Sequence, residues 1–326
     1  MAATNLEIWQ TGTIVSIEEL SPTIRYIEIS QSNPAKADVG SHIDLMIDVN
    51  GVAVRRSYSV VTQSADQATV SIAVLKTRNS RGGSEAMHQL KVGDELDITQ
   101  PIQNFPLRFG AQHYLLVAGG IGITALLGMA RALKAARASY ELVYVARTRK
   151  QAVFAAELAT EHGDRFRLHI DDEDSPLSIG NLVAQQNDAT ELYMCGPIRL
   201  MDEVRRSWVS QEFDITNLRY ETFGASGWFE PQAFTVKIQD QNLSLEVGRN
   251  ATLLDALESA GVEVMADCRK GECGLCELKV KSVQGEIDHR DVFYSEAQKI
   301  EGHKIATCVS RVFSSQAAPE ITLSID

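Results

Sequence analysis

Long apolar runs are missing from this sequence. None approaches the roughly 18 residues that a membrane-spanning helix needs. The opening residues, MAATNLEIWQ, lack the basic stretch and apolar core of a secretory signal. No internal repeat or low-complexity tract is visible. We therefore expect a cytoplasmic globular protein, and 326 residues are enough for two or three domains.

Basic residues and cysteines are also scarce. The chain has 31 Lys and Arg against 43 Asp and Glu, a formal charge of −12 that disfavours nucleic-acid binding. An acidic surface suits a partner with a basic docking patch, or simply keeps the protein in solution. There are five cysteines. In a reducing cytosol, clustered cysteines are more often metal ligands or redox groups than disulfides.

The apolar pattern changes twice along the chain. From Trp9 to about Phe109, short strands punctuated by Gly, Pro, Asn and Asp predict a small antiparallel sandwich or barrel, with one helix at Gly83–Leu90. From Gln112 to about Phe223, strands alternate with helices, which predicts a parallel sheet covered by helices on both faces.

A third segment follows residues 224–232, GASGWFEPQ, whose glycines, serine and proline are typical of a linker. It begins with a predicted hairpin, AFTVKIQ and LSLEVG, and continues with the helical ATLLDALESAG. A cysteine loop, CRKGECGLC, comes next, and the strands ELKVKSV and EITLSI complete the segment.

The cysteine loop has the spacing C-x4-C-x2-C, with one more cysteine far downstream; these residues are Cys268, Cys273, Cys276 and Cys308. Plant-type [2Fe–2S] ferredoxins use this spacing. A planar two-iron cluster needs a tight loop that donates backbone N–H groups to its sulfurs, and Gly271 and Gly274 make such a loop feasible.

The alternatives are a structural zinc site and unliganded thiols. Zinc sites favour paired halves such as C-x2-C with a second C-x2-C or H-x3-H. Here the second half is Cys308 alone, with no His or Cys beside it. The spacing therefore favours an iron–sulfur cluster.

Two motifs in the β-rich segment suit a phosphate-bearing flavin. In RRSYS, Arg56 is a bidentate phosphate donor, Tyr58 can lie flat against an isoalloxazine ring and Ser59 can bond its redox-active edge. In SRGGSEAMH, a glycine loop runs into a helix whose N–H groups bind phosphate, assisted by Arg81 and Ser84. Taken alone, an Arg, a Tyr and two Ser on a strand edge are usually surface residues, but the two motifs support each other.

The α/β segment carries a glycine loop, VAGGIGIT, between a strand and a helix. It is not the G-x-G-x-x-G fingerprint, but Gly119, Gly120 and Gly122 would let the backbone approach a pyrophosphate; a tight turn is the alternative. CGP, at 195–197, ends a later strand at the edge where α/β sheets bind ligands. Cys195 is thus separate from the cluster motif, although a buried strand cysteine is commonly inert.

The motifs and their order resemble those of the phthalate dioxygenase reductase family along essentially the whole chain. They are R-x-Y-S, R-G-G-S, G-G-I-G-I-T, C-G-P and the ferredoxin cysteines. Its members are one-chain reductases of two-component Rieske oxygenases, including those of vanillate demethylase and carnitine monooxygenase. The resemblance implies FMN, NADH and a [2Fe–2S] cluster as cofactors, a Rieske-type oxygenase as protein partner, and a monomer.

The resemblance also implies roles by position. The implied cofactor contacts are Arg56, Ser57, Tyr58, Ser59, Arg81, Gly82, Gly83, Ser84, Gly119, Gly120, Gly122, Thr124, Cys195, Gly196, Pro197 and Phe223. The implied catalytic residues, which flank hydride transfer, are Ser59, Cys195, Glu221 and Phe223. The implied cluster ligands are the four cysteines of the ferredoxin pattern.

The expected fold is multidomain. An antiparallel β-barrel flavin domain, an α/β parallel-sheet nucleotide domain, a linker and an α+β ferredoxin-like (β-grasp) domain occupy residues 5–110, 111–224, 225–233 and 234–326. This order explains the relay, because nicotinamide gives up two electrons as hydride, a cluster takes one at a time and a flavin does both. A redox sensor, or a donor to another acceptor, is the alternative function.

Two cofactor choices stay open on the residues alone. FMN is favoured over FAD because no extra segment near the flavin motifs would hold an adenylate. NADH follows from the resemblance, but Arg147, Arg149 and Lys150 in ARTRK could pair with the 2′-phosphate of NADPH.

Two further residues or motifs bear on the family match. Ala125 stands where the family usually has Pro after GGIGIT, and we expect nucleotide binding to survive because Ala forms helix well. HRD at 289–291 echoes a kinase motif, but lacks the kinase Asn and Gly-rich loop, so we assign it no catalytic role.

Overall fold

The computed structural model describes residues 7–78, 80–224 and 226–325. Residues 5 and 6 of the predicted flavin domain, Ala225 of the predicted linker and Asp326 lie outside the described residues. The chain forms two compact units. One runs through Gly196 and resumes at Ser207–Glu221; the other comprises Pro197–Arg206 and the chain from Thr222. Among the described residues, no helix is both long and apolar enough to cross a membrane.

The first unit begins with an antiparallel half-barrel. Its elements are β1 (Trp9–Ser21), β2 (Ile24–Gln31), β3 (Ser41–Val49), β4 (Val52–Ser59), β5 (Thr62–Gln63), β6 (Thr69–Leu75), α1 (Gly83–Met87), β7 (Glu95–Thr99) and β8 (Ile102–Gln103). The strand order is β4-β3-β7-β1-β2-β6-β5, with β8 on β3. Helix α1 ends before the predicted Leu90, because Arg25 binds the His88 carbonyl at 2.5 Å and so caps the helix there.

The same unit continues with a parallel sheet. Its elements are β9 (His113–Gly119), α2 (Ile123–Ala135), β10 (Tyr140–Ala146), α3 (Ala155–His162), β11 (Phe166–Ile170), α4 (Ile179–Ala184), β12 (Thr190–Cys195) and β13 (Leu218–Glu221). Between β12 and β13 lies α5 (Ile198–Ser210), whose residues through Arg206 belong to the second unit. The order is β11-β10-β9-β12-β13, all parallel. The chain direction across the sheet reverses between β9 and β12, which opens a ligand crevice at their carboxyl ends.

The two sheets of this unit share one apolar core. Ile24, Val61 and Phe105 from the half-barrel segment belong to the same buried cluster as Leu116 of β9 and Leu126 of α2. A second cluster fills the half-barrel itself. The predicted flavin and nucleotide segments therefore pack as a single body, since neither could bury this shared face alone.

The second unit contains a β-grasp fold. Its elements are β14 (Phe234–Ile238), β15 (Leu243–Val247), α6 (Leu253–Ser259), β16 (Glu277–Gln284), β17 (Glu286–Asp288), α7 (Glu296–Glu301), β18 (Lys304–Ala306), β19 (Arg311–Phe313) and β20 (Glu320–Ser324). The main sheet has the order β15-β14-β20-β16-β18. The predicted hairpin is confirmed as the antiparallel pair β14–β15, and β20 runs parallel to β14.

The described part of the predicted linker is packed. Trp228 donates from Nε1 to Asp202 at 3.2 Å, and the guanidinium groups of Arg199 and Arg206 lie 5.4 and 5.7 Å from its ring centroid. Phe229 stacks on Phe313 with centroids 4.1 Å apart. Composition predicted a linker here, and the aromatic pair buries apolar area within it.

Candidate functional site

The two phosphate-suited motifs meet in the half-barrel. A Cβ at Gly83, the first residue of α1, would lie 2.4 Å from Arg56 Nε of β4. Gly82 has φ +89°, and a Cβ there would lie 2.2 Å from Val49 Cγ1. Both glycines are therefore required: Gly82 for its backbone conformation and Gly83 for the close approach of the arginine. The Arg56 guanidinium therefore lies beside the first residue of α1.

Side-chain hydroxyls shape the loop before α1. Ser84 Oγ lies 3.0 Å from Ser80 Oγ and 3.2 Å from Thr77 Oγ1, and it accepts the Thr77 N–H at 3.2 Å. The Gly82 N–H donates to Ser80 Oγ at 3.0 Å. Ser84 is thus part of the loop's own hydrogen bonding, while Arg81 lies exposed beside it.

Residues of the predicted flavin strip lie alternately on the two faces of β4. Tyr58 packs against the half-barrel core, and burial raises the pKa of Tyr58 to about 12, which keeps the phenol neutral. Ser57 lies on the opposite face, where its hydroxyl donates to the buried carboxylate of Asp44. The same carboxylate pairs with Arg55. Asp44 was missed in the sequence because it sits in an apolar strand with no motif around it.

The last residue of the strip reaches the parallel sheet. Ser59 Oγ donates to Glu221 Oε2 at 3.3 Å, and the two residues are only 6% and 5% exposed. Glu221 is the last residue of β13. The structure thus brings together two residues that lie far apart in the sequence and that the family resemblance assigned to hydride transfer.

The nucleotide motifs also meet. The parallel register pairs Cys195 with Ala118, one residue before Gly119. A Cβ at Gly122 would lie 2.3 Å from the Cys195 carbonyl oxygen, so only glycine fits there. Gly120 has φ +55°, and the Thr124 hydroxyl bonds the Ile121 carbonyl at 2.9 Å. The glycine loop therefore packs directly on the CGP strand end, at the crevice between β9 and β12.

The remaining residues assigned to cofactor contacts follow the ends of the strands along the chain. Gly196 follows Cys195 directly, and the Pro197 carbonyl accepts the Met201 N–H at 3.1 Å in the first turn of α5. Ala125 is buried in the first turn of α2, 2% exposed, so the helix begins without the family's usual proline. Phe223 follows β13 and its side chain is 39% exposed.

One of the three basic residues after β10 is already paired with a carboxylate. Arg149 pairs with Glu173, with Nη2 and Oε2 2.5 Å apart. Arg147 and Lys150 are exposed. This leaves fewer cations for a 2′-phosphate than the sequence suggested.

The cysteine loop has the shape that the spacing predicts. Gly271 and Gly274 have φ +81° and +75°, and a Cβ at Gly274 would lie 2.3 Å from the Phe293 ring. The N–H groups of Glu272 and Cys273 both point to Cys268 Sγ at 3.4 Å. These are the backbone donors to sulfur expected of an iron–sulfur loop.

The two deeper thiols are close to each other. Cys276 and Cys308 are 3% and 2% exposed. A hydrogen bond between them lowers the pKa of Cys276 and raises that of Cys308, because one proton serves both. Among the described residues no three Cys, His, Asp or Glu side chains converge as the ligands of one ion would. A two-iron cluster divides its thiolates between two irons, and the loop's sulfur-directed N–H groups fit that group.

The segment around HRD is hydrogen-bonded to the cysteine loop. Arg290 binds Asp288, with Nε and Oδ2 2.8 Å apart, and it donates to the Phe229 carbonyl at 3.0 Å. The Val292 N–H donates to the Gly271 carbonyl at 3.0 Å. Buried charges held in this way support neighbouring backbone, which accounts for the motif without chemistry.

The fold and these sites define a class of protein. They combine a flavin half-barrel, a nucleotide-binding parallel sheet and an iron–sulfur β-grasp domain in an oxidoreductase. Two family models match the chain: an oxidoreductase FAD-binding domain at residues 11–106 and a 2Fe-2S iron-sulfur cluster binding domain at residues 236–313.

Known proteins match over nearly the whole length. The carnitine monooxygenase reductase subunit of Acinetobacter baumannii is 32% identical, covering 92% of this chain and 94% of its own. The heme-dependent oxidative N-demethylase beta subunit of Ectopseudomonas mendocina is 35% identical, covering 91% and 94%. The solved structure of phthalate dioxygenase reductase, described as modular for electron transfer from pyridine nucleotides to [2Fe–2S], superposes with a TM-score of 0.71 at 31% identity, covering 97% and 98%.

The chain belongs to the phthalate dioxygenase reductase family. The predicted fold class, oxidoreductase activity and cofactor set of FMN, NADH and a [2Fe–2S] cluster are thereby confirmed. The roles of individual site residues and the domain boundaries stay predictions.

Proposed function

We propose that this protein is the reductase component of a two-component Rieske-type oxygenase, passing electrons from NADH to its oxygenase partner. Its relatives include the reductase subunit of a carnitine monooxygenase and a phthalate dioxygenase reductase, both named for oxygenases. The observation that carries the proposal is the Ser59–Glu221 contact, which joins the flavin strip to the edge of the nucleotide sheet in a chain that also holds a cluster loop.

The bound flavin supplies the change from two-electron to one-electron chemistry. The chain's residues bind and orient it. Arg56 and the N-terminus of α1 form the phosphate site. Ser59, held by the buried Glu221 carboxylate, is placed to hydrogen-bond the redox-active edge of the ring. Tyr58, neutral at physiological pH, provides the apolar ring face for stacking.

The nucleotide residues act by letting the backbone come close to the bound nucleotide. Gly120 and Gly122 keep the crevice between β9 and β12 open to a pyrophosphate at the start of α2. Cys195 lies at the floor of this crevice, where the nicotinamide would reach the flavin. The four cysteines would hold the cluster, and Phe223 would contact the flavin, the role that the family resemblance gives it. We further propose a monomer located in the cytoplasm.

The test is an anaerobic reaction of the purified protein with NADH. Fast bleaching of the flavin absorbance, followed by reduction of the cluster and then of cytochrome c, supports a reductase. Slow or absent turnover would favour a redox sensor. Metal analysis that finds about one zinc and no iron would contradict the cluster assignment.

A haem-containing electron acceptor is a second candidate. The relative from Ectopseudomonas mendocina is named as a subunit of a heme-dependent demethylase, so this chain type also occurs in a haem system. Reconstitution with a purified Rieske oxygenase distinguishes the two, because a haem-specific reductase would support its turnover poorly.

A further inference from the structure

One side chain of the cluster loop is bound to the segment that follows β13. The Thr222 N–H donates to Glu272 Oε1 at 2.7 Å. The Thr222 hydroxyl donates to the Lys270 carbonyl at 2.7 Å and lies 3.0 Å from the same Glu272 oxygen. Thr222 is 4% exposed, so these bonds are shielded from water and correspondingly strong.

The contact extends beyond Thr222. Gly224 has φ +65°, and a Cβ added there would lie 3.5 Å from Lys270 Cα, so the segment runs close beside the loop. Lys270 Nζ lies 3.5 Å from the second oxygen of Glu272, which fixes the carboxylate from its other side. Of the two residues that flank Phe223, Thr222 therefore bonds the loop and Gly224 lies close beside it.

The Glu272 side chain is not needed to hold a cluster. Its backbone N–H already points to Cys268 Sγ at 3.4 Å, which any residue could supply. The C-x4-C spacing leaves this position unspecified. The carboxylate has a separate purpose, because it binds the backbone and hydroxyl of a residue distant in sequence. That residue follows Glu221, the partner of Ser59.

We propose that Glu272 is a positioning residue, which fixes the cluster loop to Thr222 and so sets the rate of electron transfer from flavin to cluster. The inference rests on the proposed function. Each NADH oxidised gives two electrons, which leave through the cluster one at a time, and its proton goes to solvent. Because a misplaced donor and acceptor slow a transfer steeply, loosening the loop slows this step while leaving the earlier one intact.

The experiment compares Glu272→Ala with the matched control Glu258→Ala. Glu258 also pairs with the loop, through Arg269 at 2.5 Å, but has no bond to Thr222. Stopped-flow absorbance with NADH follows flavin bleaching and cluster reduction separately. We expect Glu272→Ala to slow cluster reduction about tenfold or more, with bleaching unchanged. Glu258→Ala behaves as wild type, and Glu272→Gln, which keeps an oxygen acceptor, restores most of the rate.

Two readouts do not depend on turnover. Hydrogen exchange of the Thr222 amide should speed up in Glu272→Ala and not in Glu258→Ala, while iron content and the reduction potential of the cluster stay at wild-type values.

Thr222→Val, which removes the hydroxyl but keeps the side-chain shape, should also slow cluster reduction.

Several outcomes would overturn the proposal: wild-type cluster reduction in both Glu272→Ala and Thr222→Val, equal slowing in Glu258→Ala, an unchanged Thr222 amide, or loss of iron from Glu272→Ala. A failure of the proposed function would look different, because wild-type protein would then show no flavin bleaching with NADH.

Discussion

At the scale of single residues, the flavin phosphate site depends on a glycine as much as on an arginine. The Arg56 side chain occupies the space where a Cβ of Gly83 would be. The arginine can therefore reach the N-terminus of α1 only because residue 83 has no side chain. The charged donor and the helix N–H groups act as one site.

Replacing Arg56 with Ala should weaken flavin binding, because the phosphate loses a charged hydrogen-bond donor worth about 1.5–3 kcal/mol. We expect the dissociation constant for FMN to rise about 10- to 100-fold, measured by fluorescence as flavin is released. Cluster content should not change. Arg167→Ala, which removes an exposed arginine paired with Glu141, is the control. Wild-type flavin retention in Arg56→Ala would show that the strip has been misread.

Gly122→Ala should weaken nucleotide binding strongly and spare the flavin. The new Cβ would lie 2.3 Å from the Cys195 carbonyl oxygen, so the glycine loop must move away from the strand end. The expected result is a large rise in KM for NADH with normal flavin content. Gly180→Ala is the control, since nothing lies within 4 Å of its Cβ and alanine favours helix α4. Unchanged NADH kinetics in Gly122→Ala would place the nucleotide elsewhere.

At the scale of elements, the carboxyl end of β10 bears on the choice between NADH and NADPH. In doubly wound sheets, this region commonly recognises the ribose of the nucleotide. Here the Glu173 carboxylate holds Arg149 at 2.5 Å, which neutralises one of the cations after the strand. The pairing is consistent with preference for a nucleotide without a 2′-phosphate.

Glu173→Gln should improve the use of NADPH. Releasing Arg149 frees a cation for the 2′-phosphate, but an exposed ion pair is weak, so the KM for NADPH should fall only a few-fold. The KM for NADH should stay the same. Glu157→Gln, which breaks the exposed pair with Arg131 on α3, serves as the comparison. Equal changes in both variants would argue against a role for Arg149.

At the scale of the whole molecule, the two halves of the relay should be separable. The flavin and nucleotide sheets share their own apolar cores, which include none of the cluster cysteines. Cys308 instead belongs to a small cluster with Cys276, Leu254 and Tyr294. Losing the iron–sulfur group should therefore leave the first unit folded.

Cys308→Ser should remove one thiolate, and with it most of the cluster, while NADH still bleaches the flavin at the wild-type rate. Reduction of cytochrome c, or of an oxygenase partner, should fall to near background because the one-electron exit is gone. Stopped-flow absorbance at the flavin band beside a cytochrome c assay separates the two steps. If both slow equally, the proposed order of electron flow is wrong.

The sequence by itself determined the local elements and the chemistry. Cysteine spacing identified the cluster loop, with Gly271 and Gly274 in the left-handed conformation that the loop needs. Apolar periodicity predicted the long strands and helices, because the period of burial is a local property. Short elements such as β5, β8 and α7 were missed, since a few residues carry too little periodicity. The hydrogen bond from Trp228 to Asp202 within the predicted linker is likewise not visible in its composition.

Only the tertiary structure decided which motifs meet. The contacts of Ser59 with Glu221, Gly122 with Cys195, and Thr222 with Glu272 each join residues that are distant in sequence. Asp44 belongs to no motif and Glu272 occupies an unspecified position of the cysteine loop, so only their hydrogen-bonded carboxylates reveal them. The physical reason is that a hydrogen bond depends on where the fold places two groups in space, which the pattern of either strand or loop alone does not encode.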